Sequence, residues 1–169
     1  ALMAVTRGEI GDLYAQDTAG MRPGLLLVPG ADPAGKDHPR LMAVARALAE
    51  TGFTVLVPEI ANLRRLQVQA ADAVTIGHAA AALGELTQGP IGVVAISYAV
   101  GPAILAALEA PGEAHIGLIL AVGGYYDIAA VITFLTTGAS LDTAGAVHIR
   151  EPNPYGKWAF ALANAATLT

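Results

Sequence analysis

In Ala95-Ile96-Ser97-Tyr98-Ala99 a hydroxyl stands between small residues, at the point where an apolar run gives way to helical spacing. A serine at such a corner sits on a sharp strand-to-helix turn. Small flanking residues let the strand before it and the helix after it pass closely without side-chain collision. The chemistry of such a hydroxyl is nucleophilic attack. Its plainer reading is a small polar residue capping the helix that follows.

A second stretch, Gly30 to Lys36, spaces its glycines as a phosphate-binding loop does, with Gly35-Lys36 in the template positions. It departs from that template at two points. Pro33 removes one backbone N–H from the cradle, and Asp37 stands where a hydroxyl would reach magnesium. A carboxylate there repels a triphosphate, so nucleotide binding is disfavoured and Lys36 reads as a solvated loop charge. Asp32, Asp37 and His38 lie close in sequence, but Pro33 and Pro39 leave no fixed ligand spacing, so neither a metal nor a cofactor is expected.

The elements that must position these residues alternate. Leu25 to Val28 is a short apolar run, and Leu41, Val44, Ala45 and Leu48 then mark one helical face, with Asp37 as its N-cap, Pro39 in its first turn and Gly52 at its exit. "FTVLVPEI" is a second strand, and Ala73, Ile76, Ala80 and Leu83 a second helix. "IGVVAI", a helix from Val100 to Leu108, and "IGLILAV" follow. Beyond Asp127, the residues Ile128, Val131, Ile132 and Leu135 share a face, and another helix is expected around Trp158, Leu162 and Ala165. Residues 1 to 20 alternate weakly, as an antiparallel hairpin on the sheet edge would. Continuous apolar strands alternating with helices predict an α/β fold, a mostly parallel sheet covered on both faces in three layers. In such sheets ligands gather at the carboxyl ends of the strands, where both loops fall.

From about residue 22 to 127 the order of these motifs resembles the α/β-hydrolase superfamily, and within it the dienelactone-hydrolase-like group. "LLLVPG" is similar to the family's oxyanion strand and loop, "RALAETGFTVLVPEI" to its first helix and next strand, and "GVVAISYAVGPAILAAL" to its nucleophile elbow. Alanine replaces the usual flanking glycines at 95 and 99, and Pro29 replaces a frequent histidine. The resemblance implies Ser97 as nucleophile and the backbone N–H groups of Ala31 and Tyr98 as oxyanion donors. It also implies a small-molecule ester or related acyl substrate, and an acid and a histidine that follow the nucleophile. Asp127 and His148 are the candidates, set against plainer readings as a helix N-cap and a surface residue. Tyr98, Tyr125, Tyr126 and Trp158 are candidates for an acyl pocket or for core.

By the same resemblance, residues 1–127 form the hydrolase-like core, ending after about the family's sixth strand, and 128–169 a helical cap-like segment. The strands that would carry the acid and histidine are then missing, so the alternative is a non-catalytic half-domain used for binding or assembly. An open, strongly apolar last strand predicts a homodimer.

Composition narrows the rest. Without cysteine there is no thiol catalysis and no disulfide. A net charge of −5, with no basic cluster larger than Arg64-Arg65, gives no footing for nucleic acid. Mean hydropathy is high, at +0.55, but the long apolar stretches are broken by Ser97-Tyr98, by Gly101-Pro102 and by Asp127, so no membrane span is expected. No signal peptide is visible at the start of the chain, and a cytoplasmic location is the expectation.

Overall fold

The structure, a computed structural model, describes residues 3–17, 20–67, 69–109, 116–125 and 127–152, together with Pro154 and Trp158. The helix expected around Trp158, Leu162 and Ala165 and the residue Tyr126 lie outside that description. The chain divides into two compact units, 1–124 and 125–169.

The first unit is a six-stranded mixed sheet clad by helices. Strands β1 (Met3–Arg7) and β2 (Gly11–Gln16) form the antiparallel edge hairpin that their alternation predicts. Next come β3 (Gly24–Val28), helix α1 (Pro39–Glu50) and β4 (Thr54–Pro58). A single turn, α2 (Ala61–Arg64), precedes the long α3 (Ala71–Thr87), and β5 (Ile91–Ile96), α4 (Val100–Glu109) and β6 (Ile116–Val122) complete the unit. The sheet order is β1-β2-β4-β3-β5-β6, with β4, β3, β5 and β6 parallel.

Alternation along each strand builds two cores. Leu25, Leu27, Val55 and Val57 meet Leu41, Ala45 and Ala49 of α1 on one face. Leu26, Val28, Leu56, Val93 and Ala95 meet Ile76, Ala80 and Leu83 of α3 and Ala103 of α4 on the other. Burying each such leucine contributes about 1.5–3 kcal/mol, which is why β3 carries no polar residue at all. This is a three-layer α/β arrangement.

Topology decides where a ligand can sit. From β3 the chain crosses over α1 to β4 on one side, and from β4 over α3, on the opposite face, to β5 on the other side of β3. The carboxyl ends of β3 and β5 therefore diverge into loops that part from each other, the switch point at which open α/β sheets leave a crevice.

The second unit holds α5 (Ile128–Thr137) and an antiparallel pair, β7 (Ala139–Leu141) and β8 (Val147–Ile149). The helical reading of this segment misses the pair. Gly138 ends α5 at φ +77°, and its carbonyl accepts from the N–H of Arg150 at 2.9 Å, so the chain turns at once into a strand. Three-residue strands are too short to register as an alternating pattern.

Candidate active site at the strand switch point

Ser97 follows directly on β5 and opens a 3-10 turn, Ser97–Ala99, that feeds α4. Its φ is +53°, in the left-handed region that a Cβ disfavours. Few non-glycine residues take that conformation, and where they do the surrounding structure holds them there at a cost of about 1–3 kcal/mol. Ala95 and Ala99, on either side, are fully buried, so the small flanks are needed for packing as the sequence suggests.

The loop after β3 comes up against this corner. A Cβ on Gly30 would lie 3.1 Å from the Ile96 carbonyl oxygen and 3.3 Å from the Ser97 Cβ, so glycine is what allows the two backbones to approach. Between loop and corner lies a cavity of about 330 Å³. Ser97, Gly30 and Ala31 line it, with Leu41, Val44 and Ile96 as an apolar wall. The two segments that the sequence separates by some sixty residues are thus neighbours. Burial pushes the Tyr98 phenol above its usual range, and its ring packs against the core on the α3 side rather than forming a cavity wall. Tyr125 and Trp158 belong to the other unit. Of its two readings Tyr98 thus takes core, and aliphatic residues of α1 form the cavity wall. The signal was available: α1 starts just after the glycine loop, so its first turns have to face the carboxyl ends of the strands.

Two readings of the loop itself change. Lys36 is not solvated: its side chain is only 12% exposed, and its Nζ lies 3.1 Å from the buried Asp12 and 3.2 Å from Asp37. Burial alone would push the ammonium down, but hydrogen bonds and charge from Asp12 and Asp37 outweigh it and hold Lys36 above the usual lysine range. A lysine so engaged is spent, and the phosphate-loop reading loses its cation. Asp37 is not the N-cap of α1. The hydrogen bond from Lys36 holds its carboxyl below the usual range against a smaller opposing effect of burial, and the charges of Lys36, Arg64 and Arg7 add to it. Arg64 also pairs with Glu59 at 3.2 Å and donates from Nε to the Pro33 carbonyl, lying across Gly35, where a Cβ would come within 2.6 Å of the Arg64 side chain. The cap is instead His38, whose Nδ1 accepts from the N–H of Arg40 at 3.2 Å. His38, weighed in the sequence only as a metal ligand, and Arg40, not weighed there, both line the Ser97 cavity.

The other predicted site residues lie in the second unit. Asp127 caps α5, its Oδ1 accepting from Ala129 at 2.8 Å and Ala130 at 3.3 Å. His148 stands on β8, its Nε2 2.9 Å from Asp142 Oδ2. The carboxylate beside His148 is therefore Asp142, not Asp127. The hydrogen bond from His148, joined by backbone N–H groups led by Ala146, holds the Asp142 carboxyl below its usual range. Among the described residues no group of three ligands that could hold a metal ion occurs, and no helix is long and apolar enough to cross a membrane.

No family model matches the sequence, and no curated protein matches it significantly. Among solved structures it is similar to a chain described as "m3DLH", with 18% identity and a TM-score of 0.53 over 73% of this chain and 57% of that one. A second similarity is to wild-type Cfl2 from Burkholderia cenocepacia, with 15% identity and a TM-score of 0.49 over 95% of this chain and 50% of that one. Likeness at this level shows the fold alone. The chain spans 57% of the length of the first and half the length of the second.

Proposed function

We propose that this chain is the nucleophile-bearing part of a serine hydrolase acting on an ester or related acyl bond of a small molecule. The observation that carries the reading is the left-handed φ of Ser97 on a turn packed against Gly30, with both lining one cavity. In the proposed step the Ser97 Oγ bonds to the acyl carbon and the bond to the leaving alcohol breaks. The hydroxyl proton passes to a base and then to the departing alkoxide, while the N–H groups of Ala31 and Tyr98 take up charge on the carbonyl oxygen. Water then releases the acid. Such a step needs an imidazole held by a carboxylate. Among the described residues the pair of that kind is His148 with Asp142.

A fluorophosphonate probe should label Ser97, Ser97→Ala should abolish the label, and His148→Ala should slow it if His148 is the base. A folded sample whose Ser97 stays unlabelled would remove the enzyme reading.

A second reading, assembly without turnover, rests on β6. It is the last strand of the sheet and carries no charged residue. Leu118, Leu120 and Val122 are 65%, 54% and 46% exposed. By register these three share the α1 side of the sheet with Val94 and Ile96, beyond the reach of α1. A two-fold axis pairing β6 with β6 of a second copy would satisfy this edge. Sedimentation at micromolar concentration should find a dimer that Leu120→Glu dissociates, and a monomeric wild type would end this reading.

A further inference from the structure

We propose that His38 is a further catalytic residue of the Ser97 cavity, donating a hydrogen bond from Nε2 to the substrate's carbonyl oxygen; the inference rests on Ser97 being the nucleophile. The tautomer follows from the helix cap. His38 Nδ1 accepts from the N–H of Arg40, so its lone pair is in use and the hydrogen of the neutral ring resides on Nε2. This excludes His38 as the base. Freeing the Nε2 lone pair would move the hydrogen to Nδ1 and turn two donors, Nδ1–H and the N–H of Arg40, against each other. What the ring can offer the cavity it lines is a donor. Neutral imidazole at a helix N-terminus, donating to a carbonyl, is a recognised electrophile.

Its surroundings suit that role. No carboxylate among the described residues lies within ion-pair distance of the His38 ring, so no acid orients it as the base of a triad is oriented. The backbone is held from both sides: Pro39 begins α1, and the N–H of His38 donates to the Gly35 carbonyl at 3.2 Å. The ring is therefore placed by the same short segment that carries Ala31.

Two substitutions separate catalysis from capping. His38→Asn keeps an acceptor where Nδ1 stands, in a residue type favoured at N-caps, and removes the Nε2 donor. His38→Gln places an amide N–H near the Nε2 position and gives up the cap. The readout is the second-order rate of labelling of Ser97 by a fluorophosphonate, in which the Oγ–P bond forms, fluoride leaves and the hydroxyl proton is lost to solvent or base. The expected result is a rate at least about tenfold lower in His38→Asn, on the scale of losing one oxyanion donor, with the melting temperature unchanged or higher. His38→Gln should label faster than His38→Asn although it melts lower. The reverse order, stability and rate falling together in His38→Gln alone, overturns the inference and leaves Ser97 as nucleophile. Absence of label in the wild type overturns both.

Discussion

Ser97 carries strain that its own replacement should reveal. A residue at φ +53° holds about 1 kcal/mol or more that glycine would not hold, offset in part by the greater freedom of glycine in the unfolded chain. Ser97→Gly is therefore expected to match or exceed Ser97→Ala in urea stability, by up to about 1 kcal/mol, although both lack the hydroxyl. Equal destabilisation by the two would mean that the corner is relaxed and the left-handed turn has no bearing on function. At this scale the sequence was informative about types and silent about partners. It marks Ser97 by its small neighbours. It does not say that Lys36 turns back to Asp12, because Asp12 lies on an edge hairpin twenty-four residues earlier. Nor does it say that Asp142 rather than Asp127 faces His148, a contact made by the register of β7 with β8.

Among the elements, the loop from β3 to α1 is held by alternating charges: Asp12, Lys36, Asp37, Arg64 and Glu59. Lys36→Met takes the nearer cation from the Asp12 carboxylate, 1% exposed, and leaves it only the longer contact with Arg7 Nε at 3.9 Å, and breaking a buried pair in this way costs about 3 kcal/mol. Removing both charges, in Asp12→Asn with Lys36→Met, should recover most of the loss, as a double-mutant cycle by urea unfolding would report. The pH dependence has a defined sign. The Asp37 carboxyl, held below its ordinary 3.8, adds stability above that value and loses it as pH falls through its lower folded value. Lys36, held above 10.5, adds stability below that value and loses it as pH rises through its higher folded value. The stability gap between wild type and Asp37→Asn should accordingly hold near neutral pH and close as pH falls below about 4, and a constant gap would exclude the pairing. The helices offer a simpler check. Gly77 lies within the seventeen residues of α3 and a Cβ there meets nothing within 4 Å, so Gly77→Ala should stabilise by about 0.5–1 kcal/mol in calorimetry.

For the whole molecule, the apolar excess that composition records is only partly taken up inside the sheet. The two cores absorb β3 and β4 completely, while β6 keeps one face in the open. A double substitution, Leu118→Glu with Leu120→Glu, should leave the melting temperature of a dilute sample nearly unchanged and lower the tendency to associate, read by light scattering against concentration. A large loss of stability in dilute solution would show instead that these leucines pack within the chain. The sequence by itself determined the class of fold, because strand and helix periods and the need to bury them are local properties of the chain: continuous apolar runs require cover on both faces, and the helical stripes supply it. It also determined where a hydroxyl meets a tight corner. Only the tertiary structure decided what surrounds that hydroxyl. The cavity wall, the His38 cap that sets a tautomer and the spent lysine all depend on distances between segments far apart in the chain. Those distances follow from the crossovers on opposite faces of β3, and no local pattern encodes them.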